Sequence, residues 1–320
     1  MESHIDKKVK LSIVIPIYNS AIIFPELYSR IIATLQQSMQ SFEIIAVLDG
    51  CTDNSFDVIS HYCNLDKRLK LVEFSRNFGH QAAISAGLQA SLGDMVAVMD
   101  DDLEDPPEVL LQFMDKIEEG YDIAYGIRGS RKRSLVTKIL FYFFYRILDK
   151  FTDVKIPYDV GDFCMMKRHI VKLLISMPER NRYIRGLRAW LGFSQIGITY
   201  DRGERIASVS GYSLRKYISL ATDALFSFSY KPLKIFSAFG FGVAMLSFIV
   251  GISLVILKLF DKIRNIPGWV SIIVTILFLS GIHLIALGIT GRYVIRIYDE
   301  VKQRPQYIVK KSIGVEKDEK

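Results

Sequence analysis

A dense group of carboxylates follows an apolar stretch in the first half of the chain. In VAVMDDDLEDPPEVL, residues 96–110, strand-like apolar residues lead directly into Asp100, Asp101, Asp102, Glu104 and Asp105. Like charges at this spacing repel one another, so this acidic segment (residues 100–105) predicts either solvated turn residues or a positive partner that the chain does not encode. Because side chains alternate along an extended segment, Asp100 and Asp102 share one side. Two carboxylates so placed suit a divalent cation, Mg²⁺ or Mn²⁺, that leaves coordination positions open for phosphate oxygens.

The end of the acidic segment has a separate, structural interpretation. Residues 105–108, Asp-Pro-Pro-Glu, resemble the start of a helix, with a capping acid, proline in the first turn and a second acid three residues after the cap. The pattern therefore predicts structural roles for Asp105 and Glu108 and leaves the Asp-x-Asp pair to a ligand. Asp101 stays unassigned, and Glu104 is either a further metal ligand or an uncompensated charge.

Strand-like and helix-like patterns alternate over residues 1–130. Apolar, β-branched runs predict strands at 11–17, 43–48, 69–74, 94–99 and 121–125, and helical patterns between them include 22–38, 79–92 and 107–119. This alternation predicts an α/β fold with a mostly parallel sheet that is covered on both faces. Ligands of such sheets bind beyond the carboxyl ends of the strands. Tyr18, Asp49 and Asp100 stand at those positions, after the first, second and fourth predicted strands.

Two long runs near the C-terminus, 235–257 and 265–291, contain no charged residue. Because a bilayer is crossed by about 20 apolar residues in a helix, both runs are predicted to be transmembrane helices. The alternative, a pair of buried core helices, fits less well because neither run shows a polar face. The short connection, 258–264, predicts a hairpin, and basic residues on its outer flanks favour a cytoplasmic location for both termini.

The remaining segments complete a predicted domain organisation. The aromatic stretch 135–151 fits a membrane-surface helix, with an ordinary core helix as the alternative. We expect a catalytic domain over 1–212, an amphipathic juxtamembrane segment over 213–232, and transmembrane helices within 233–292, at about 235–257 and 268–290. Residues 293–320 are predicted to form a cytoplasmic tail, of which the last ten look frayed.

Composition narrows the cellular setting and the partners. Cys51, Cys63 and Cys164 have neither metal-ligand nor redox spacing, which suits a reducing compartment. The net charge of +7, in a chain with predicted membrane helices, favours anionic lipid headgroups over nucleic acid, for which we find no motif. Residues 1–10 are charged and polar, so no signal peptide is expected there.

Several motifs in order along the chain resemble one enzyme family. The early motifs are SIVIPIYNS, VLDGCTDNS, RNFGHQAAISAGL and MDDDLEDPPE, and the later ones are YGIRGSR, VGDFCMMKR, PERNRYIRGL and GIHLIALGITGRYVIRIYDEVKQRPQYIV. Together they resemble family 2 glycosyltransferases of the GT-A (Rossmann-like) fold. The branch they resemble acts on polyisoprenyl phosphates and includes dolichyl-phosphate mannose synthase and bacterial enzymes that glucosylate undecaprenyl phosphate. The resemblance spans roughly residues 10 to 310, and many motifs in one order are more specific than any single motif.

The resemblance implies a donor site at the carboxyl edge of the sheet. Pro16 and Tyr18 would line the nucleotide pocket, and Asp49 would form a hydrogen bond to the base. Asp100 and Asp102 would bind the metal ion and the diphosphate. Without the resemblance, the Asp49-Gly50 pair could be only a turn.

The resemblance also implies residues for the phosphates and the acceptor. Arg128 and Arg131 would face phosphate, where a fixed cationic fork is useful. Asp162 matches a carboxylate that serves as the base or orients the acceptor, and Arg202 and Arg205 match basic residues near the acceptor or donor phosphates. The structural alternative for Asp162 is a helix cap.

Basic and histidine side chains outside these motifs have plainer alternatives. The arginines after Pro178 could be a solvated basic face beside lipid headgroups; they are Arg180, Arg182, Arg185 and Arg188. His80 is interpreted as a hydrogen-bonding residue at a helix start rather than a catalyst. His283, in a predicted span, is either functional or a neutral residue that forms a hydrogen bond between helices.

The chain departs from the family pattern at a few positions. Ser20 stands where an acid is usual, Glu104 where glutamine is common, Gly211 where lysine is usual and Arg292 where an acid is common. These departures bear on the donor base and the sugar more than on the type of reaction.

The predicted reaction is inverting transfer of one sugar from a nucleotide diphosphate donor to a polyisoprenyl phosphate such as undecaprenyl phosphate. It is metal-dependent and takes place at the cytoplasmic face of the inner membrane. UDP-glucose is the preferred donor, with GDP-mannose or a UDP-N-acetylhexosamine or aminosugar as alternatives. The expected partners are donor, acceptor, membrane lipids and a second copy of the chain. Rival hypotheses are a processive polysaccharide synthase, which would carry more spans, and a degenerate homologue without activity.

Overall fold

The structure, a computed structural model, describes residues 9–36, 38, 41–129, 160–180, 182–202, 231–260 and 268–315. The predicted surface helix at 135–151, nearly all of the juxtamembrane segment 213–232, and Arg131 and Arg205 lie outside these described residues. The predictions for them stay predictions. The described residues fall into a sheet unit, up to residue 202 and again from residue 304, and a helical unit between residues 231 and 303.

Within the described residues the chain forms eight strands and eight helices, numbered in chain order. The strands are β1 Leu11–Ile17, β2 Phe42–Leu48, β3 Leu69–Phe74, β4 Met95–Val98, β5 Ile123–Arg128, β6 Val160–Lys167, β7 Gln195–Tyr200 and β8 Val309–Ile313. The helices are α1 Phe24–Gln36, α2 Ser55–Leu65, α3 His80–Ala90, α4 Val109–Glu118, α5 Arg168–Ser176, α6 Ile184–Trp190, α7 Lys231–Leu259 and α8 Trp269–Lys302.

The strands form one mixed sheet in the order β7-β5-β6-β4-β1-β2-β3-β8. β1 is parallel to both β2 and β4, β2 is parallel to β3, and β5 is parallel to β7. β6 runs antiparallel between β4 and β5, and β8 runs antiparallel to β3. Every residue of β1 and β2 is buried, as expected for central parallel strands that are covered on both faces. The predicted α/β class with a mostly parallel sheet is confirmed.

The C-terminal segment differs from its prediction. The sequence predicts that the last ten residues are frayed, but β8 reaches Ile313 and pairs with β3 from Leu71 to Phe74. The interpretation as a frayed tail is therefore wrong for residues 311–313. The physical reason is that β3 would otherwise be an edge strand with unpaired backbone groups, and β8 satisfies them.

The helical unit contains the two predicted hydrophobic helices. Large apolar side chains along α7 and α8 are exposed, for example Phe241 and Leu246 on α7 and Phe278 and Leu287 on α8. Among the described residues, one segment is long and apolar enough to cross a membrane, Phe278–Lys302, which reaches beyond the predicted end of the second span. A shorter apolar stretch lies at Ser237–Val250 in α7. The hairpin and the orientation in a membrane stay predictions.

Candidate functional site

The carboxyl ends of the central strands bring the predicted site residues to one edge of the sheet. β1, β2 and β4 run parallel, so the loops that follow them meet at this carboxyl edge. The backbone N–H of Tyr18 donates to Asp101 at 3.2 Å, and the backbone N–H of Thr52 donates to the Asn19 side chain at 2.8 Å. Tyr18 is half exposed, whereas Pro16 is buried in β1 beside Val47 of β2.

Asp101 ties the acidic segment to the loop after β1. In addition to the Tyr18 N–H, its carboxylate accepts a hydrogen bond from the Ser20 hydroxyl, with 2.5 Å between the oxygens. Ser20 is the residue that stands where the family usually has an acid. A hydroxyl at this position donates to Asp101, whereas a carboxylate would repel it. The sequence alone assigns no role to Asp101, and the structure shows it as the link between these two loops.

The predicted helix-capping role of Asp105 is wrong. α4 begins at Val109, and the residue before it, Glu108, pairs with Arg30 through two nitrogen–oxygen contacts of 2.9 and 3.1 Å to one guanidinium nitrogen. Asp105 is fully buried and accepts a hydrogen bond from the Tyr200 hydroxyl. Because α4 starts four residues later, the Asp105 carboxylate is free to bind groups from the far end of the sheet instead.

Two arginines that are predicted to face phosphate lie against the acidic segment. Arg128 Nη2, at the end of β5, is 3.7 Å from Asp100 and 3.8 Å from Asp105. Arg202, just after β7, forms an ion pair with the buried carboxylate of Glu104. The Nε atoms of both arginines are buried and donate to no described residue. Glu104 is thus a partner of Arg202, and each guanidinium keeps hydrogen-bonding capacity for an anion.

The surroundings of Asp100 suit a carboxylate that binds a cation. Burial raises the pKa of Asp100 to about 7; the charges of Asp105, Asp162 and Asp102 add to this rise, and His80 opposes it. Asp100 Oδ1 is buried and accepts no hydrogen bond from the described residues, although His80 Nε2 lies 3.5 Å away. A buried, unsatisfied oxygen next to further carboxylates fits a hard cation, whose charge would restore ionisation.

Asp102 is the second carboxylate of the predicted metal pair. Its Oδ1 accepts the backbone N–H of Glu104 at 3.1 Å, which fixes the turn of the acidic segment. The described residues contain no group of three or more His, Cys, Asp or Glu side chains arranged to hold a metal ion. Asp100 and Asp102 offer carboxylate oxygens that a divalent cation would accept, and its remaining positions would be left for phosphate oxygens and water.

Asp162 is the buried centre of a polar cluster. Its carboxylate accepts from Arg185 at 2.8 and 3.0 Å and from Gln81 at 3.2 Å, and His80 Nε2 lies 3.1 Å from it. Burial opposes ionisation, but the charge of Arg185 and the hydrogen bonds from His80 and Arg185 hold the pKa of Asp162 far below its usual range. A carboxylate held in this state binds protons weakly, so the geometry favours an orienting role over a role as general base.

Sequence reasoning missed the partners of Asp162. His80 is the first residue of α3 and lies within hydrogen-bond distance of Asp162, so its interpretation as a hydrogen-bonding residue at a helix start is confirmed, but its position between the carboxylates of Asp100 and Asp162 was not foreseen. The prediction that the arginines after Pro178 form a solvated basic face is wrong for two of them. Arg185 forms an ion pair with Asp162, and Arg188 is only 2% exposed. No local sequence pattern predicts the contacts of Asp162 with Arg185 and His80, because Arg185 lies 23 positions after Asp162 and His80 lies 82 positions before it.

Asp49 holds the loop that precedes α3. Its two carboxylate oxygens accept the backbone N–H groups of Phe78 at 2.6 Å and Gly79 at 2.9 Å. The next residue, Gly50, has a φ of +64°, and a Cβ there would lie 2.2 Å from the backbone nitrogen of Asn77. Only glycine fits so close an approach at a positive φ. Asp49 and Gly50 thus shape the site through loop 75–79, and the contact of Asp49 with a base stays a prediction.

Comparison with known proteins identifies the family. The model of glycosyl transferase family 2 matches residues 12–174. An uncharacterized glycosyltransferase of Bacillus subtilis (strain 168), YkcC, is 40% identical over 311 residues, 97% of this chain and 96% of that protein. The chain belongs to glycosyl transferase family 2. It is therefore a glycosyltransferase, as its motifs implied.

Two further proteins are similar to this family 2 protein, one in sequence and one in fold. The SfII prophage-derived bactoprenol glucosyl transferase of Shigella flexneri is 34% identical over 305 residues, 95% of this chain and 98% of that protein. The mannosyltransferase PcManGT from Pyrobaculum calidifontis, whose structure is in complex with GDP-Man and Mn²⁺, has a TM-score of 0.50 and 14% identity. It covers 92% of this chain and 88% of its own. The predicted GT-A fold is confirmed.

Proposed function

We propose that this family 2 glycosyltransferase transfers a single sugar from a nucleotide diphosphate sugar to a polyisoprenyl phosphate at a membrane surface. The observation that carries the proposal is the buried, unsatisfied Oδ1 atom of Asp100, two residues before Asp102 at the carboxyl edge of the sheet, with Arg128 and Arg202 against the same acidic segment. Paired carboxylates flanked by arginines suit a cation and a diphosphate together. The glucosyl transferase name of the Shigella flexneri relative, at 34% identity, supports a lipid phosphate acceptor.

Asp100 and Asp102 are the residues that would hold a divalent cation, Mg²⁺ or Mn²⁺. The Mn²⁺ and GDP-mannose in the PcManGT complex support this assignment, together with the fit of the two carboxylates. Such a cation supplies charge neutralisation for a diphosphate leaving group. Arg128 and Arg202 add fixed positive charge beside it, since their buried Nε atoms donate to no described residue.

The acceptor needs orientation more than deprotonation. A polyisoprenyl phosphate is already anionic near neutral pH, so the reaction needs no strong base. Asp162, which stays ionised, is therefore suited to orienting its neighbours rather than to accepting a proton. Asp162 fixes His80 and Arg185, and these present an imidazole and a guanidinium near the acidic segment. Positioning of the acceptor phosphate for in-line attack then accounts for inversion at the sugar carbon. Arg131 and Arg205 remain proposed as further phosphate-facing residues.

The exposed apolar surface of the helical unit supports membrane association. Phe278–Lys302 is apolar enough for a bilayer, and the large apolar side chains of α7 and α8 are exposed. An exposed apolar surface of this kind is unfavourable in water and favourable in lipid. The lipid tail of the acceptor would stay in the same bilayer, with both termini of the protein and the sheet unit on the cytoplasmic side. UDP-glucose is the proposed donor, and GDP-mannose and UDP-N-acetylhexosamines are the alternatives.

A transfer assay tests the proposal. Purified protein in vesicles that contain undecaprenyl phosphate would be incubated with labelled UDP-glucose, GDP-mannose or UDP-N-acetylglucosamine, with Mn²⁺ or with EDTA. We expect label in the lipid fraction from UDP-glucose with Mn²⁺, and none in EDTA. If folded protein transfers none of these sugars to the lipid phosphate, the proposal is wrong. Transfer from a different donor would correct the sugar and keep the reaction.

A further inference from the structure

The C-terminal segment reaches the loop that Asp49 holds. After α8 ends at Lys302, the chain enters the sheet unit, and the Tyr307 ring stacks on Phe74 with centroids 4.9 Å apart and planes 13° apart. Phe74, at the end of β3, contacts Phe78 edge to face at 5.7 Å. Phe78 is the residue whose backbone N–H donates to Asp49. Three aromatic rings therefore connect the C-terminal segment to the candidate donor site.

The same segment also contacts the backbone around these rings. The Tyr307 hydroxyl donates to Gln89 of α3 at 2.7 Å, and α3 is the helix that begins with His80. The backbone N–H of Ser75 donates to the carbonyl of Ile308 at 3.0 Å, at the start of loop 75–79. Tyr307 thus packs between the end of β3 and α3, the two elements that the loop joins.

We infer that Tyr307 is a positioning residue for the nucleotide donor, acting through Phe74 and Phe78 on loop 75–79. The loop has little freedom to adapt, since Gly50 already approaches the backbone of Asn77 too closely for any side chain. A shift of Phe78 would move the backbone N–H groups of Phe78 and Gly79, which donate to Asp49. It would therefore also move Asp49 and loop 75–79, which form the wall of the site next to the end of β2. The inference rests on the proposed function in one respect, because that wall is assigned to the donor.

Tyr307 lies close in sequence to the hydrophobic helix α8. Only the residues between Lys302 and Tyr307 separate the end of α8 from the aromatic contact with Phe74. The hydrophobic helix is therefore continuous in sequence with a support of the donor site. Asp162, which is assigned to the acceptor, is held separately by Arg185 of α6 at 2.8 and 3.0 Å, so loss of Tyr307 should affect the donor and spare the acceptor.

Nucleotide binding and steady-state kinetics test the inference with three variants. Tyr307→Ala removes the ring, Tyr307→Leu keeps apolar volume without stacking, and Tyr307→Phe keeps the stack without the Gln89 hydrogen bond. The loss of one aromatic pair predicts a rise of about 3- to 10-fold in the donor KM and in the Kd for UDP with Mn²⁺, for the alanine and leucine variants. Their kcat and acceptor KM should stay within about twofold, and the phenylalanine variant should retain donor affinity.

Lys310→Ala is the matched control, because Lys310 lies on β8, three residues after Tyr307, and its exposed side chain pairs with Glu73 and not with the aromatic rings. An unchanged donor KM and UDP affinity in folded Tyr307→Leu would overturn the inference, and so would parallel loss of kcat and of affinity for both substrates. Failure of the wild-type protein to bind any nucleotide would instead overturn the proposed function. If the wild type binds UDP and the variants bind it equally well, only the proposed role of Tyr307 is wrong.

Discussion

The Asp100→Asn variant is expected to lose sugar transfer without losing stability. Its kcat/KM should fall by about 10²–10³-fold, the usual cost of removing one electrostatic contact to the reacting group. Its melting temperature in EDTA should equal or exceed that of the wild type. The reason is that burial and neighbouring carboxylates raise the pKa of Asp100 to about 7, so the charge that would bind a cation is unfavourable when the cation is absent. A neutral side chain of the same shape removes that repulsion.

Asp115→Asn is the control for the Asp100 variant, since it removes the same charge from an exposed position on α4. It should leave both rate and melting temperature unchanged. A full metal-dependent rate in Asp100→Asn would contradict the role of Asp100 at the cation. A melting temperature several degrees lower in EDTA would show instead that its carboxylate stabilises the empty site.

The Arg185→Met variant is expected to lose more stability than any of the other substitutions. Removal of the guanidinium leaves Asp162, whose side chain is 3% exposed, without the partner that makes two contacts of 2.8 and 3.0 Å to it. Breaking one side of such a buried ion pair costs about 3–5 kcal/mol of unfolding free energy. Transfer should also fall, because Asp162 and His80 lose their fixed geometry.

A matched surface pair provides the control for Arg185. Arg30 makes similar contacts to Glu108, but these side chains are 35% and 55% exposed, so Arg30→Met should cost less than about 1 kcal/mol. Thermal melting in detergent compares the two. In the double variant Arg185→Met with Asp162→Asn, the loss should be smaller than the sum of the single losses. Equal, small losses for Arg185 and Arg30 would contradict the view of Asp162 as a buried ionised centre.

The fold was predictable where hydrophobic periodicity is local. β1 is predicted at the residues where it is found, and α1 and α3 differ by only one or two residues at each end. β6, β7 and β8 are not predicted, because their place in the sheet depends on partners far away in the chain. β8 is the clearest case, since Val-Lys-Lys-Ser-Ile has two adjacent lysines in place of an apolar alternation and is ordered by pairing with β3.

The candidate site was predictable to the extent that strand ends locate it. Asp49, Asp100 and Asp102 stand where the pattern of strands indicates, but their partners are not visible in the sequence. Asp105 looks like a helix cap because the pattern Asp-Pro-Pro-Glu is local, whereas its actual partner, Tyr200, lies 95 positions later. The Asp162–Arg185 pair is a similar case. A local motif predicts Asp162 as a site residue, but its contact with Arg185 is visible only in the folded chain.

Calorimetric titration of UDP into the purified protein, with Mn²⁺ and then with EDTA, tests the central claim most directly. The claim is that Asp100 and Asp102 hold a divalent cation together with the diphosphate of the donor. Mn²⁺ should tighten UDP binding to the wild type by at least about tenfold, in line with the roughly 1.4 kcal/mol of a modest metal contact. Asp102→Asn should lose that gain. Equal UDP affinity in Mn²⁺ and EDTA, or a gain from Mn²⁺ that survives in Asp102→Asn, would contradict the claim.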